Sequence, residues 1–309
     1  MPKIVISTSS FDIENNSAIN SLKSKGFEII VNPYGRRLTE SEISSLLTDD
    51  VVGMIAGVEP LTRKALQASP GLKVLSRCGV GMDNVDLCAC GESETWVCNT
   101  PNAPAMAVAE LTVALMLDLL RKVSQADRNI RAKKWKPLMG NLLSCQTVGI
   151  IGYGRIGKRV CDILKGFGVR LLVHDKVRIA CDQGFSTVSF EELLSTSDII
   201  SLHVPYESAN HHLIDHDSIQ NMKTGAFLIN ASRGGLIDES ELYVALKSGK
   251  LAGAALDTFE QEPYAGPLSE LPNVILTPHM GSYAKECRIQ MELESAENLM
   301  KGLAVKGII

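Results

Sequence analysis

Polar residues that could perform acid–base chemistry follow three apolar segments in the second half of the chain. Arg233 follows the first segment, Asp257, Glu260 and Glu262 follow the second, and His279 follows the third. Ligands of open α/β sheets bind beyond the carboxyl ends of parallel strands. If the three segments are strands of one sheet, an arginine, a carboxylate and a histidine converge on one site.

A glycine-rich loop follows the apolar run Thr147–Ile151 and precedes a segment with helical periodicity. Its first glycine permits a tight turn, its second lets a pyrophosphate approach the backbone, and its third allows close packing of the helix on the strand. Exposed amides and the positive end of the helix would hold the phosphates. Because a strand precedes it and a helix follows it, the loop predicts a dinucleotide site, rather than a turn in an unrelated fold. The loop reads Gly152-Tyr153-Gly154-Arg155-Ile156-Gly157.

An acidic residue, Asp175, ends the next predicted strand. A carboxylate at this place accepts hydrogen bonds from the ribose hydroxyls of NAD and repels the 2′-phosphate of NADP. The sequence therefore predicts NAD as the cofactor, although the neighbouring Lys176 weakens this preference.

These motifs together resemble the D-isomer-specific 2-hydroxyacid dehydrogenases, the family of D-3-phosphoglycerate dehydrogenase and glyoxylate/hydroxypyruvate reductase. The resemblance covers essentially the whole chain. It includes the glycine loop and the three polar segments described above. It also includes Gly79–Asp86, Asn99–Pro104 and His203-Val204-Pro205.

The resemblance implies that Arg233, Glu262 and His279 form a catalytic triad. The histidine would donate a proton to the carbonyl oxygen of a 2-keto acid and accept it back in the reverse reaction. The glutamate would orient the ring and favour its charged form, and Glu260 is the alternative for this role. The arginine would pair with the substrate carboxylate.

The resemblance also implies which residues contact the cofactor and the substrate. Asp257 matches the residue that holds the nicotinamide carboxamide. His203 matches a cofactor contact, with the alternative that it only ends a strand and does not contact the cofactor. The implied cofactor residues are Gly152, Tyr153, Gly154, Arg155, Ile156, Gly157, Asp175, His203, Val204, Pro205, Ala231, Asp257 and Gly281. The implied substrate residues are Val80, Gly81, Arg77, Asn102 and Arg233, of which Arg77 has the alternative of an ion pair with Asp83 or Asp86.

The substrate remains open between two classes of 2-keto acid. The segment Asn32–Thr39 resembles phosphoglycerate dehydrogenases, enzymes of serine biosynthesis. However, many of these have an arginine in the loop after the third strand, where Ala56–Pro60 has none and Glu59 would repel a phosphate if it pointed inward. No serine-sensing domain is expected after His279. Glyoxylate, hydroxypyruvate or another small 2-keto acid is the alternative, and an NADH-sensing protein similar to the C-terminal-binding corepressors is the alternative of another class.

Alternating strand and helix patterns before and after residue 99 predict two doubly wound α/β domains with parallel sheets. A Rossmann NAD-binding domain, residues 99–283, would be inserted into a flavodoxin-like substrate domain formed by residues 1–98 and 284–309. The active site would lie in the cleft between them and close on binding. The apolar segment Ala105–Arg121 predicts a buried helix. This helix and the arm after it resemble the family's dimer interface, so a homodimer is expected.

The composition predicts an ordinary soluble globular protein, which is expected to be cytoplasmic. Of 309 residues, 45% are apolar and 21% charged, and the net charge is −4. These values favour neither a nucleic-acid partner nor a membrane span, and the N-terminus lacks the features of a signal peptide.

The eight cysteines predict reduced thiols rather than disulfides, because no secretion signal accompanies them. Cys88, Cys90 and Cys98 lie near one another, but they lack the paired spacing and fourth ligand of structural zinc, so no metal is predicted. Cys145 and Cys161 lie among apolar residues and are expected to be small side chains of the core. His211, His212 and His216 are expected to be solvated surface groups.

Overall fold

The computed structural model describes residues 1–177, 179 and 184–309, so Cys181 lies outside the described residues. The chain divides into two compact units, residues 1–104 with 283–309, and residues 105–282. The sequence predicts that the chain crosses between domains after residues 98 and 283, whereas in the structure it crosses after residues 104 and 282. The segment after residue 98 stays with the first unit because Thr100 N donates to Gly79 O and Asn298 Nδ2 donates to Asn99 O.

The first unit contains a five-stranded parallel sheet. Its strands are β1 Lys3–Ile6, β2 Glu28–Val31, β3 Val51–Ala56, β4 Val74–Arg77 and β5 Trp96–Asn99. Their order in the sheet is β2-β1-β3-β4-β5, which is the flavodoxin-like order. The connecting helices are α1 Ser17–Ser24, α2 Glu40–Leu46, α3 Arg63–Gln67 and α4 Leu87–Glu92.

The second unit contains a seven-stranded parallel sheet. Its strands are β6 Thr147–Ile151, β7 Arg170–His174, β8 Ser186–Thr187, β9 Ile199–Leu202, β10 Ala226–Asn230, β11 Leu251–Leu256 and β12 Val274–Leu276. Their order is β12-β11-β10-β9-β6-β7-β8, so a seventh strand extends the six-stranded order of dinucleotide-binding domains. The sheet order reverses between β6 and β9, and ligands bind at such a switch point.

The helices of the second unit pack on both sides of this sheet, and two hydrophobic clusters form its core. These helices are α5 Pro104–Arg121, α6 Val123–Arg131, α7 Arg155–Lys165, α8 Phe190–Thr196, α9 His216–Asn221 and α10 Glu239–Ser248. The apolar character of α5 is explained by its burial, since Ala109 and Met116 lie fully within the core.

The last helix, α11 Lys285–Val305, packs against β3, β4 and β5 of the first unit. Two glycines allow this close packing. A Cβ on Gly302 would lie 2.6 Å from Val74 Cγ1, and one on Gly53 would lie 2.9 Å from Leu299 Cδ1. Within the described ranges, no helix has the length and apolarity that a membrane span requires.

Candidate active site

The glycine loop between β6 and α7 is tightly packed at two of its three glycines. Gly152 has a φ of +97°, and a Cβ there would lie 2.6 Å from the carbonyl oxygen of His203. A Cβ on Gly157 would lie 2.0 Å from the carbonyl oxygen of Gly152. At Gly154, the residue before α7, no described heavy atom lies within 4 Å of the Cβ position. The loop therefore leaves open space at the N-terminus of α7, where a pyrophosphate fits.

Asp175 connects the end of β7 to this loop. Its Oδ2 accepts a hydrogen bond from Tyr153 N at 2.6 Å, and its Oδ1 accepts one from Val177 N at 2.9 Å. The neighbouring Lys176 lies 3.7 Å from Glu207, measured from Nζ to Oε2. A carboxylate beside the glycine loop, with the adjacent lysine near an acid, fits NAD better than NADP.

Two predicted cofactor residues have buried side chains. The Tyr153 ring packs against Phe185 with centroids 4.8 Å apart, and only 8% of the residue is exposed. The ring of His203 is buried, with Nε2 2.9 Å from Ser201 Oγ, and this burial lowers its pKa to about 3. Tyr153 and His203 therefore shape the loop through backbone contacts, while their rings lie inside the unit. Of the other predicted residues, Arg155 and Pro205 are exposed, Ile156 and Val204 are half-buried, and Ala231 is buried.

Glu262 and His279 form a hydrogen-bonded pair. The histidine follows β12, and its Nδ1 lies 3.0 Å from Glu262 Oε1 and 2.9 Å from Oε2. Phe259 N donates to the same carboxylate at 3.2 Å, which fixes its position in the loop after β11. Both side chains remain partly exposed. Because Nδ1 faces the carboxylate, Nε2 is the ring nitrogen that can exchange a proton with a substrate.

Asp257 holds the loop that carries the histidine. Its carboxylate accepts hydrogen bonds from Thr277 Oγ1 at 2.6 Å, Met280 N at 2.8 Å and Gly281 N at 2.8 Å. The residue is 1% exposed, and this burial raises the pKa of its carboxyl. His279 lies within the loop and has a φ of +52°, a conformation that non-glycine residues adopt rarely. The anchored ends of the loop thus hold this backbone in place.

Arg233 follows β10 in a turn built by an asparagine that the sequence did not single out. Asn230 Oδ1 accepts from Ser232 N at 3.0 Å, and Asn230 Nδ2 donates to Arg233 O at 2.8 Å. An asparagine at a strand end that bonds the backbone two residues later is a known turn signal, so this role could have been found. The next residue, Gly234, lies so close to the backbone of Phe259 that a Cβ would clash at 1.9 Å.

In the first unit, the predicted substrate turn follows β4. Val80 is exposed and Gly81 half-buried, and Asn99 Nδ2 donates to Val80 O at 2.7 Å. Asn102 is exposed. Arg77 is 6% exposed, and its guanidinium lies against Gly79, which has a φ of +150°, and donates to Cys78 O. Arg77 thus packs beneath the turn.

Glu59 follows β3 and is 1% exposed. Its Oε1 accepts hydrogen bonds from Gly57 N at 3.0 Å and from the Ser7 hydroxyl. The carboxylate is therefore engaged by the backbone and side chains of its own unit.

The model of the D-isomer specific 2-hydroxyacid dehydrogenase NAD-binding domain matches residues 113–281. Glyoxylate reductase of Korarchaeum cryptofilum is 39% identical over 267 residues, which cover 83% of this chain and 77% of that protein. D-3-phosphoglycerate dehydrogenase of Archaeoglobus fulgidus is 35% identical over 96% of this chain, which spans 57% of that protein.

A crystal structure of D-lactate dehydrogenase from Aquifex aeolicus, complexed with NAD and lactic acid, has a TM-score of 0.85 to this structure. It is 30% identical to this chain and covers 98% of it, and the match spans 96% of the crystallised chain. The predicted enzyme class, fold class and cofactor are confirmed. The chain belongs to the D-isomer specific 2-hydroxyacid dehydrogenases, which are NAD-dependent oxidoreductases.

Proposed function

We propose that Arg233, Glu262 and His279 interconvert a D-2-hydroxy acid and its 2-keto acid. The observation that carries this proposal is the contact of both Glu262 oxygens with His279 Nδ1. A carboxylate in this position fixes the ring and stabilises its charged form. The ring can then act as a general acid toward a ketone.

In the reducing direction, His279 Nε2 donates a proton to the carbonyl oxygen of the substrate. Arg233 binds the carboxylate of the 2-keto acid, since a guanidinium offers two parallel donors to a planar anion. Asp257 keeps the histidine loop in place through Met280 N and Gly281 N. NADH, when bound, supplies the hydride.

The glycine loop and Asp175 hold the cofactor in this proposal. Gly154 offers the open backbone for the pyrophosphate, and Asp175 accepts hydrogen bonds from the ribose hydroxyls. Asp257 was predicted to hold the nicotinamide carboxamide and Gly281 to contact the cofactor, so these residues would hold the nicotinamide end near the end of β11.

We propose D-3-phosphoglycerate as the substrate. The match to the Archaeoglobus enzyme covers almost the whole chain, and Asn32–Thr39 resembles such enzymes. Glu59, the residue expected to repel a phosphate, is buried and bonded to Ser7 and Gly57. Its carboxylate is therefore not offered to a ligand.

The second candidate is the reduction of small, unphosphorylated 2-keto acids such as glyoxylate and hydroxypyruvate. Two observations favour it. One of the relatives with 39% identity, the Korarchaeum protein, is a glyoxylate reductase, and the match spans 77% of that protein. The loop Ala56–Pro60 contains no arginine to neutralise a phosphate dianion.

The experiment that distinguishes the two candidate substrates measures the oxidation of NADH by 3-phosphohydroxypyruvate, hydroxypyruvate, glyoxylate and pyruvate. The proposal expects the highest kcat/KM with 3-phosphohydroxypyruvate, and a preference for hydroxypyruvate or glyoxylate would select the second candidate. His279→Ala and Arg233→Ala should each lower kcat/KM by about 10²–10⁴-fold. Tight NADH binding without turnover of any substrate would instead indicate a corepressor-like binding protein.

We also propose that the chain forms a homodimer through α6 and the arm that follows it. Large apolar side chains are exposed along this segment, with Trp135 at 89% and Met139 at 88%. Apolar groups of this size, clustered on one exposed arm, favour an interface with a protein.

A further inference from the structure

We propose that His211, His212 and Glu260 form a binding site for one transition-metal ion. One ligand atom from each residue lies within 4.8 Å of the others, and this trio is the cluster of metal-binding side chains found in the described part of the chain. All three residues belong to the second unit. The ring centroids of the two histidines are 3.8 Å apart and stacked at 27°.

Two of the three proposed ligands are already in contact. His212 Nε2 lies 2.5 Å from Glu260 Oε1 in a hydrogen bond. Zinc binds imidazole nitrogen and carboxylate oxygen at about 2.0–2.2 Å. A tetrahedral ion bound to both therefore requires the nitrogen and the oxygen to be roughly 3.4 Å apart. The Glu260 side chain is 38% exposed and can rotate by this small amount. A metal ion would thus replace the shared proton of the pair.

Each histidine also has an outer partner on its other ring nitrogen. His211 Nδ1 lies 3.2 Å from the Tyr206 hydroxyl, and His212 Nδ1 lies 3.5 Å from Asp238 Oδ2. Metal-binding histidines typically donate the second ring N–H to such a group, which fixes the tautomer and the ring orientation. This arrangement leaves Nε2 of both rings as the nitrogen that binds the metal.

Backbone contacts hold the ligands in place. His212 N donates to Gly235 O at 2.8 Å, and Glu260 N donates to Glu239 Oε1 at 2.8 Å. A Cβ on Gly235 would lie 2.7 Å from the Tyr206 ring, so this outer partner is also closely packed. The site is thus built on several segments of one unit.

Two imidazoles and one carboxylate select the class of ion. This donor set suits Zn²⁺, Ni²⁺ or Cu²⁺, whereas Mg²⁺ and Ca²⁺ prefer oxygen ligands alone. Water completes the coordination. The bound ion links the segment after β9 to the loop after β11, and it leaves the Glu262–His279 pair intact.

The test measures binding of Zn²⁺ and Co²⁺ to the full chain after treatment with EDTA and desalting. We expect one ion per chain and a rise in Tm, because an ion that binds only the folded state stabilises it. His212→Ala and Glu260→Gln should weaken binding at least ~10-fold and abolish the rise in Tm. His216→Ala is the matched control, since this histidine also pairs with a carboxylate, Glu241, at 2.8 Å. This variant should bind the ion and show the rise in Tm as the wild type does.

A second pair of variants tests the outer partners. Tyr206→Phe and Asp238→Asn keep the three ligands and should each weaken binding about 10-fold. Bound Co²⁺ should show the d–d bands of a tetrahedral ion without a thiolate-to-metal charge-transfer band. Unchanged affinity in His212→Ala and Glu260→Gln, or a thiolate band from the exposed cysteines, would overturn the proposal.

Discussion

Two glutamates that are only two positions apart serve two different histidines. Glu262 contacts His279, whereas Glu260 contacts His212. Composition cannot separate them, because both lie in the same polar loop after a strand. The resemblance to the family favoured Glu262, and the structure adds a separate partner for Glu260.

This separation gives the first prediction. Glu262→Gln should lower kcat by about 10²-fold or more with little change in KM, because a neutral amide cannot stabilise the charged ring. Glu260→Gln, assayed with EDTA present, should retain kcat within about twofold of the wild type. Steady-state kinetics of both variants checks this, and an equal loss in the two would contradict the assignment of Glu262.

The buried His203 predicts how stability depends on pH. Its pKa of about 3 in the folded chain lies below the ~6.5 of an exposed histidine, so only the unfolded chain takes up this proton as the pH falls between them. Protonation therefore favours unfolding. Between about pH 7.0 and pH 5.5 the wild type should lose roughly 1 kcal/mol more stability than His203→Gln. Urea unfolding at both pH values measures the difference, and parallel losses would show that His203 does not contribute.

The cysteines should differ sharply in reactivity. Burial raises the pKa of the Cys161 thiol to about 12, and Cys78 is also buried with a raised pKa. Cys88 is exposed, and so is Cys145, for which the prediction of a core position was wrong. Because the thiolate is the reactive form, iodoacetamide should label Cys88 and Cys145 in the native protein well before the two buried thiols. Peptide mass spectrometry over time checks the order, and early labelling of Cys161 would contradict it.

At the scale of elements, apolar patterning predicted the long strands and helices and most of the short ones. The apolar run Thr147–Ile151, which the sequence predicts as the strand before the glycine loop, agrees with β6. Helix α4 and strand β5 were missed. The helix has six residues including Cys88, Cys90 and Gly91, and such a segment is too short to show an apolar period.

The glycine loop yields a paired prediction about α7. Gly157→Ala places a methyl group 2.0 Å from the carbonyl oxygen of Gly152, so we expect lost stability together with lost NADH binding. Gly154→Ala meets no described atom within 4 Å, so the fold should remain stable while the methyl group obstructs the pyrophosphate. Thermal unfolding and NADH titration of both variants test this. Normal NADH affinity in Gly154→Ala would place the phosphates elsewhere.

At the scale of the whole molecule, the proposed homodimer predicts the effect of charges on the exposed arm. Trp135→Glu combined with Met139→Glu should convert the dimer to a monomer, because the apolar surface that drives association is replaced by like charges. Sedimentation velocity at micromolar protein distinguishes the two states. A wild type that sediments only as a monomer would contradict the proposed interface.

The two-domain fold was readable from the alternation of strands and helices, but the details of the site were not. The three hydrogen bonds to Asp257 depend on residues brought together from separate strands. The contact of His212 with Glu260 likewise joins segments that are 48 residues apart, which no local pattern records. Spacing along a sequence reports which residues end a strand, but not which neighbours they meet.

The packing of α11 on the first unit has a consequence for the order of folding during synthesis. Residues 105–282 leave the ribosome before this helix does, so the second unit can fold while the first still lacks the helix that covers β3 and β4. At roughly 5–20 residues per second, this delay is on the order of ten seconds or more. During that time the apolar side chains around Gly53 and Val74 stay uncovered. The first part of the chain to be made is therefore the last to be completed, and its uncovered sheet is open to aggregation during that time.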